Sequence, residues 1–409
     1  MGQWQIAAIL YIVVLNLIGF LSMGIDKSRA KKGDWRIPER TLFLIALLGG
    51  SVGSILGMQV FRHKTKHKSF LVGMPLILAL QLLLLGLLAG HTGKQTNRTD
   101  FVMATVMSQV IYGSKGEETA EENYQIAIAL EQEYLSWRLD ASTVSEINRA
   151  LSQGQSIELE PEEAQWIRES LGICEASGGA LDITIHPVIE LWGMETDTPK
   201  VPAEEEIQAA LGSIGYERLN ISEDGILTGK ENSSIDLGAL GKGIACDEIR
   251  ENLEQRGITG AVISVGGTIL VYGRKPGKED WQIGIRDPRG VPGSLLGTLY
   301  MNETAVVSTS GDYERYFEEN GIRYHHIFDP STGYPADNGL ISVTIVSEQG
   351  IVSDGLSTAC FVMGYPESIP LLEQYEAEGI FVTKDQEVYV TEGLKDSFTL
   401  TAEGYKMMK

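Results

Sequence analysis

The sequence is poor in cysteine, with three among 409 residues. Cys174, Cys246 and Cys360 lie far apart, are odd in number and contain no C-x-x-C pair. This spacing provides neither a zinc cluster nor a disulfide framework. We therefore expect three ordinary, partly buried thiols.

Positive charge is scarce in the larger part of the chain. Residues 1–98 hold 12 Lys+Arg against 3 Asp+Glu, whereas residues 99–409 hold 21 against 52. A change of charge from +9 to −31 predicts a domain boundary. Because a surface of this negative charge repels a polyanion, we expect no nucleic-acid partner.

Three long apolar runs lie in the basic part, at residues 4–23, 42–61 and 70–90. The first and third have roughly the length of a membrane-spanning helix, and the middle run is rich in glycine. The first run lacks the basic segment of a cleavable signal peptide. The sequence thus predicts that residues 1–94 form a transmembrane module of two or three helices in contact with a lipid bilayer.

Two basic loops separate these runs, and their charges bear on orientation. Residues 24–41 carry six Lys/Arg and residues 62–69 carry four. If all three runs cross, one basic loop lies outside, against the positive-inside tendency, and the six-charge loop and the large domain stay inside. If the middle run enters and leaves on one side, both loops stay cytoplasmic. We favour this second arrangement, which places the large domain outside the cell membrane.

The same segment resembles a small bacterial membrane domain of unknown function. The resemblance rests on the string D-K-S-R-A-K-K-G-D-W-R-I-P-E-R from Asp26 and on F-R-H-K-T-K-H-K-S-F from Phe61. It implies no chemistry. Since His63 and His67 stand beside four cations, we expect them to contact lipid head groups and not a metal.

The rest of the chain mixes helix and strand patterns without a repeating βαβ rhythm, which predicts an α+β fold. Residues 95–100 are expected to be a linker and residues 101–409 a single domain. Strands are predicted at 101–112, 260–272 with a break at Gly266-Gly267, 281–286, 297–309 and 339–347. Helices are predicted at 117–137, 162–176, 204–212 and 353–363.

Two glycine-rich segments could approach a ligand closely. S-G-G-A-L-D-I-T at Ser177–Thr184 permits close backbone contact, although a plain tight turn is an equal alternative. S-I-D-L-G-A-L-G-K-G at Ser234–Gly243 places an Asp, three glycines and a Lys before a helix, which suits a phosphate. Its spacing is not that of a P-loop.

Two further segments carry side chains suited to catalysis or metal binding. His326 and Asp329 flank a turn after a strand, where a His can act as a base, orient a group or be merely structural. Ser353 is predicted to cap a helix, which would put Asp354 in the first turn and Thr358 on the same face. One carboxylate and one hydroxyl suit Mg²⁺ that shares its shell with water and phosphates. Together the four segments predict a diphosphate substrate handled with Mg²⁺.

In this order the segments resemble the ApbE-type FAD:protein FMN transferases. The resemblance runs from about Phe101 to Leu400. It is carried by S-G-G-A-L-D-I-T…L-W-G, D-L-G-x-x-x-K-G, V-G-G, H-x-x-D-P-x-T-G-x-P and D-G-L-S-T-A. An M-A-T…Y-G strand at the start adds to it, and the segment 135–148, which ends in S-x-x-N, is a weaker match. The resemblance implies a mixed sheet-and-helix catalytic domain of the ApbE type.

The resemblance also implies roles for individual residues. Mg²⁺ would be held by the carbonyl of Ala239, the carboxylate of Asp354 and the hydroxyl of Thr358. His326 would be the base or orient the acceptor, with Asp329 fixing its geometry, and Lys242 would neutralise the diphosphate. The FAD site would be lined by Met103, Ala180, Leu181, Asp182, Asp236, Lys242 and Phe328.

The implied reaction transfers FMN from FAD to a Thr or Ser hydroxyl of an acceptor protein and releases AMP. The acceptor would be an electron-transport flavoprotein subunit with a D-G-x-T-x-A-T-like motif. The sequence departs from the family near Arg138, where an aromatic would stack on adenine, and at Ser357, where some members have Asp. Three alternatives stay open: an Mg²⁺-dependent FAD pyrophosphatase, a non-enzymatic flavin-binding protein, and a domain that has lost activity.

Overall fold

The computed structural model describes residues 3–91, 95–194, 196, 198–277 and 279–408. The chain divides into two compact units, Met1–Thr92 and Gly93–Lys409. Each unit is described by itself below.

The N-terminal unit is helical. Its helices are α1 (Gln3–Lys32), α2 (Glu39–Ile45), α3 (Ser51–Val60) and α4 (Lys68–His91), with π-helical turns at Ala46–Gly50. The glycine-rich middle run is bent at Gly49, whose φ is 123°. The side chain of Asn16 supports the bend by donating to the Gly49 carbonyl (3.0 Å) and accepting from the Gly53 amide (2.7 Å). The bend therefore has its exposed backbone groups satisfied by α1.

Two helical segments of this unit are long and apolar enough to cross a membrane, Leu10–Lys32 and Glu39–Val60. In α4, the stretch whose side chains are described, Lys68–Leu84, is apolar but shorter than such a segment. By length and composition alone, spans of this kind are shared by membrane anchors and signal sequences.

The expected lipid contact of His63 is wrong. His63 is buried, and its Nε2 lies 2.7 Å from Oδ2 of Asp26, which is itself fully buried. The Ile37 amide donates to the other carboxylate oxygen (2.9 Å). Because a buried carboxylate requires partners, this pair belongs to the interior of the helical unit.

The C-terminal unit combines strands and helices, and the predicted α+β class is confirmed. Its strands are β1 (Gln95–Val102), β2 (Thr105–Tyr112), β3 (Ile157–Glu158), β4 (Leu219–Ile221), β5 (Ile226–Gly229), β6 (Gly260–Val265), β7 (Thr268–Gly273), β8 (Trp281–Arg286), β9 (Leu295–Met301), β10 (Ala305–Gly311), β11 (Tyr316–Glu319), β12 (Ile322–His325), β13 (Leu340–Ser347), β14 (Glu378–Thr383), β15 (Glu387–Val390), β16 (Phe398–Leu400) and β17 (Lys406–Met407). Its helices are α5 (Gly116–Ala129), α6 (Thr143–Ser152), α7 (Pro161–Ala176), α8 (His186–Trp192), α9 (Glu204–Leu211), α10 (Gly241–Gln255), α11 (Gly350–Met363) and α12 (Ile369–Gln374).

One large sheet has the strand order β1-β2-β6-β7-β10-β13-β14-β15-β17. Its pairs are antiparallel except β15 with β17. Side chains from one face of β2, β6 and β7 pack with those of α5 and α10. The opposite face, from β7 to β15, packs against a small sheet of order β16-β9-β8. The large sheet is thus covered by helices on one face and, over part of the other, by a second sheet.

Helices α10 and α11 approach each other very closely. A Cβ atom added to Gly243 would lie 2.2 Å from the carbonyl oxygen of Gly350, so no side chain fits there. This contact brings the start of α10 beside the second turn of α11, where the polar groups described below meet.

Several predicted boundaries are corrected by the structure. Residues 95–100 are no linker, because they belong to β1 and pair with β2 along its length. Residues 101–112 are a hairpin, not one strand. The strand predicted at 297–309 is divided between β9 and β10, which lie in different sheets. Helix α11 begins at Gly350, so Ser353 is not its cap. The Ser353 hydroxyl is instead buried and donates to the carbonyls of Val306 and Ile345.

Candidate active site

A cavity of about 640 Å³ lies in the C-terminal unit, a size typical of ligand pockets. Eleven of the twelve predicted site residues line it, and Asp329 does not. The eleven are Met103, Ala180, Leu181, Asp182, Asp236, Ala239, Lys242, His326, Phe328, Asp354 and Thr358.

The turn of the β1–β2 hairpin forms one wall. Met103 and Ala104 both have positive φ, at 51° and 54°, which is unusual for residues other than glycine. The Met103 amide donates to Oε2 of Glu131 (2.8 Å), and Glu131 lies in π-helical turns at Leu130–Leu135. Glu131 thus holds the strained turn against the cavity.

The second wall is the loop that contains Asp182, and its carboxylate is occupied. Oδ1 accepts from the amide and hydroxyl of Thr184 (2.8 and 2.6 Å), and Oδ2 accepts from the Tyr216 amide (3.0 Å). Burial raises the pKa of Asp182, although these hydrogen bonds oppose the change. Asp182 therefore shapes the wall more than it offers a free carboxylate.

The D-L-G-A-L-G-K-G segment leads into the N-terminus of α10. The Asp236 amide donates to the Ile183 carbonyl (2.8 Å), which joins this segment to the Asp182 loop. The Asp236 Oδ1 accepts from the Gly238 amide (2.5 Å). Lys242, in the first turn of α10, keeps part of its side chain exposed to the cavity. A helix N-terminus together with a lysine favours an anion.

Asp354 is a buried carboxylate whose two oxygens both have partners. It is 4% exposed, and its Oδ2 accepts from the Gly243 amide (3.0 Å) while its Oδ1 accepts from the Thr268 hydroxyl (3.0 Å). Lys242 Nζ lies 3.5 Å from Oδ2. These contacts fix the carboxylate in one orientation, beside the point where α10 and α11 approach each other closely.

Thr358 lies one turn after Asp354 on α11, as predicted. Its hydroxyl oxygen is 3.4 Å from Oγ of Ser310. Ser357, where some relatives of the resembled family have Asp, bonds to Ser310 (2.8 Å) and donates to the Asp354 carbonyl (2.8 Å). Ser357 is therefore engaged inside the helix–sheet contact.

His326 and Asp329 do not interact as predicted. His326 Nδ1 lies 3.2 Å from the Arg315 carbonyl, whereas the Asp329 carboxylate accepts from the amide and hydroxyl of Ser331 (2.8 and 2.7 Å). The Asp329 carboxylate thus holds its own turn through the two groups of Ser331. Burial, with the nearby charge of Arg315, lowers the pKa of His326 to about 4, so the ring is neutral at pH 7.

The cavity also contains groups that the sequence did not single out. Arg286 and Arg315 lie on its wall. Arg138, which the sequence did single out, stacks its guanidinium on the Trp137 ring at 4.5 Å, and both side chains line the cavity. Thr268, which donates to Asp354, lies outside the cavity lining, and its place directly after the Gly266-Gly267 turn is a signal for it in the sequence. In contrast, Trp192 is fully buried and donates to the Gly333 carbonyl, which makes it a core residue.

In the part of the chain that the structure describes, no three His, Cys, Asp or Glu side chains lie close enough to hold a metal ion. Among the residues that line the cavity, Asp354 offers a carboxylate, Thr358 a hydroxyl and Ala239 a backbone carbonyl. Hard oxygen donors in this number fit a metal whose shell is completed by substrate oxygens and water.

The fold and this cavity define an α+β enzyme whose polar groups converge at the meeting point of two helices and a sheet. The profile described as the ApbE family matches residues 103–381, and the chain belongs to that family. A second profile, described only as a protein of unknown function (DUF1294), matches residues 16–70.

Individual relatives agree with the family. The FAD:protein FMN transferase of Treponema pallidum is 28% identical over 323 residues, which are 74% of this chain and 88% of the relative. That of Klebsiella pneumoniae is 33% identical over 232 residues, which are 56% and 71% of the two chains. The crystal structure of the ApbE protein from Thermotoga maritima matches with a TM-score of 0.69 and 32% identity, and covers 74% of this chain and 99% of that one.

Proposed function

We propose that this chain is an FAD:protein FMN transferase, which moves the FMN part of FAD to a Thr or Ser hydroxyl of an acceptor protein. The observation that carries the proposal is that residues from five separate motifs line one cavity in a chain of the ApbE family. The names of its relatives point to the same activity.

In the proposed reaction the acceptor hydroxyl oxygen bonds to the FMN phosphorus of FAD. The phosphoanhydride P–O bond to the AMP part breaks, and AMP leaves with the electron pair of that bond. The hydroxyl proton leaves to solvent. No residue of the chain is modified in this step, so no protein nucleophile is required.

Lys242 and the start of α10 supply positive potential for the diphosphate. Ala239, Asp354 and Thr358 would hold Mg²⁺, which would offset the remaining phosphate charge when bound. Since the pKa of His326 is about 4, its neutral ring is a weak base at pH 7. We assign it the role of accepting a hydrogen bond from the acceptor hydroxyl and orienting it.

We further propose that the N-terminal unit anchors the enzyme in the cell membrane with the catalytic unit on the extracytoplasmic side. The two apolar helical segments and the basic loops beside them support this arrangement. The acceptor would then be a membrane-bound or exported electron-transport protein with a D-G-x-T-x-A-T-like segment.

The test is intact-mass spectrometry of such an acceptor after incubation with the full chain, FAD and Mg²⁺. We expect a gain of one FMN, lost on adding EDTA and lowered about 100-fold in rate by Asp354→Asn. Asp247→Asn is the matched control. The Asp247 carboxylate is half-buried on α10 and lies outside the cavity, where it accepts from the Gly350 and Ile351 amides at the start of α11. Release of AMP and free FMN without a mass gain would instead make the enzyme a pyrophosphatase.

A further inference from the structure

The edge of β8 that faces away from β9 is unpaired among the strands that the structure describes, since β8 ends the order β16-β9-β8. Unpaired strand edges are templates for pairing with another chain. Gly284, Ile285 and Arg286 from this strand line the catalytic cavity. The open edge therefore begins at the active site.

The hydrogen bonds of β9 show which backbone groups of β8 face outward. The Tyr300 amide donates to the Ser397 carbonyl (2.8 Å), so the backbone of Tyr300 is directed away from β8. Gln282 lies opposite Tyr300. Because hydrogen-bonded and non-bonded pairs alternate in antiparallel strands, the amide and carbonyl of Gln282 and of Gly284 point to the open edge. These groups can receive an added strand.

The surface beside this edge is apolar and uncovered. Trp281 of β8 packs against Tyr112 of β2, with ring centroids 5.9 Å apart, so the small sheet reaches the large sheet there. Val106 and its cross-strand partner Phe101 lie on the same face as Tyr112, since strand residues two apart share a face. They are 51% and 69% exposed. The small sheet therefore leaves the end of the β1–β2 hairpin exposed. This end lies next to the cavity wall at Met103–Thr105.

We propose that the acceptor protein docks as an added β-strand along the open edge of β8, with alternate side chains on the Phe101–Val106 surface. This inference rests on the proposed transferase function. The reaction requires a protein hydroxyl to reach a cavity whose carboxylate is 4% exposed, and an extended segment is narrow enough to enter. Gly284 at this edge and the turn at Met103–Thr105 both line the cavity, and Phe101 and Val106 flank that turn. The partner is therefore an extended Ser/Thr-containing segment, held mainly by backbone hydrogen bonds.

Gly284 explains how such a segment could pass close to the wall. It is exposed, it lies at the edge and it lines the cavity. A Cβ atom there would come within 2.8 Å of the Leu295 side chain on β9, and with glycine the exposed face of β8 carries no side chain at this point. The backbone of an incoming strand can then approach the β8 backbone directly.

The first test varies the acceptor and leaves the enzyme intact. The probes are synthetic peptides centred on D-G-x-T-x-A-T, each with one backbone N-methyl group, incubated with the full chain in detergent with FAD and Mg²⁺. An added strand bonds through every second amide, so we expect KM for the peptide to rise about tenfold at alternate positions and little between them. A scan without this alternation would overturn the proposal.

The second test removes the apolar surface. We expect the double variant Phe101→Ser, Val106→Ser to raise KM for the peptide about tenfold while KM for FAD stays within about twofold. Ile226→Ser is the control, because Ile226 is an exposed strand residue (40%) on β5, in a different sheet. An unchanged peptide KM in the double variant would also overturn the proposal, and would leave lipid contact as the use of this surface.

Failure of the proposed function gives a different result. If the unchanged chain adds no FMN to the unmethylated peptide or to a whole acceptor protein, the transferase assignment is wrong, and both docking tests lose their readout. If the unchanged chain transfers FMN and either docking test fails, only the docking surface is wrong. The two failures are thus distinguished by the unmodified reaction.

Discussion

At the scale of single residues, the site depends on how its carboxylate is held. Asp354 offers one oxygen to the Gly243 amide and the other to the Thr268 hydroxyl. Both donors come from other elements, so the orientation of the carboxylate is set by the way in which α10, α11 and β7 pack together. A ligand that binds Asp354 therefore finds it already oriented, which lowers the entropy lost on binding.

Thr268→Val tests this arrangement. Valine keeps the shape of threonine and removes the donor to Asp354, in a position that is fully buried. We expect the Mg²⁺ concentration for half-maximal transfer to rise about tenfold, since partners of a metal ligand typically contribute this much, while KM for FAD changes little. The control is Thr119→Val, a buried threonine that donates within α5 to the Lys115 carbonyl. Equal Mg²⁺ dependence in the two variants would show that Thr268 is merely structural.

At the scale of elements, α10 carries an acidic group that is unfavourable when charged. Glu248 is half-buried on this helix, and burial, followed by the negative charges of Glu251, Glu162 and Asp247, raises its pKa to about 7. The folded protein thus binds a proton that the unfolded chain, with an ordinary glutamate, releases near pH 4.5. The contribution of Glu248 to stability is complete below pH 4.5 and is lost as the pH rises through about 7.

Glu248→Gln should consequently stabilise the protein only at high pH. Glutamine resembles the protonated acid, so we expect the melting temperature to rise by a few degrees at pH 8 and to stay unchanged near pH 4.5. Thermal unfolding of the full chain at both pH values measures this difference. Glu254→Gln provides the control, because Glu254 is exposed on the same helix. A gain of the same size at both pH values would contradict the assigned pKa.

The elements that sequence patterns predicted well are those whose burial is regular. Helix α7 and strand β8 were placed within one residue, because capping residues and strict alternation of buried positions define them. Residues 95–100 were mistaken for a linker because β1 is a polar edge strand. Its polar residues do not show in the sequence that it pairs with β2. The site motifs were found because glycines and charged residues stand close together in the chain. Glu131 and Thr268 were missed because their roles depend on contacts with distant segments.

At the scale of the whole molecule, the chain joins an apolar helical unit to an acidic catalytic unit. If the N-terminal unit anchors the chain as proposed, the side of the membrane on which the catalytic unit lies decides which acceptors are within reach. All three native cysteines are fully buried, so a thiol introduced on the surface can be labelled against a low background. Labelling of such introduced thiols can therefore show on which side of the membrane each part of the chain lies.

Two exposed positions serve for this measurement: Trp35, which is 92% exposed in the loop after α1, and Ile226 on β5. If both basic loops are cytoplasmic and the catalytic unit is exported, a membrane-impermeant maleimide added to intact cells should label Ile226→Cys and not Trp35→Cys, which should react only after lysis. The positive-inside tendency and the six Lys/Arg of residues 24–41 are the reason for this expectation. Labelling of neither variant before lysis would place both the loop and the catalytic unit inside, as in the three-span arrangement. The acceptor would then have to be cytoplasmic, and the search for it would move to that side of the membrane.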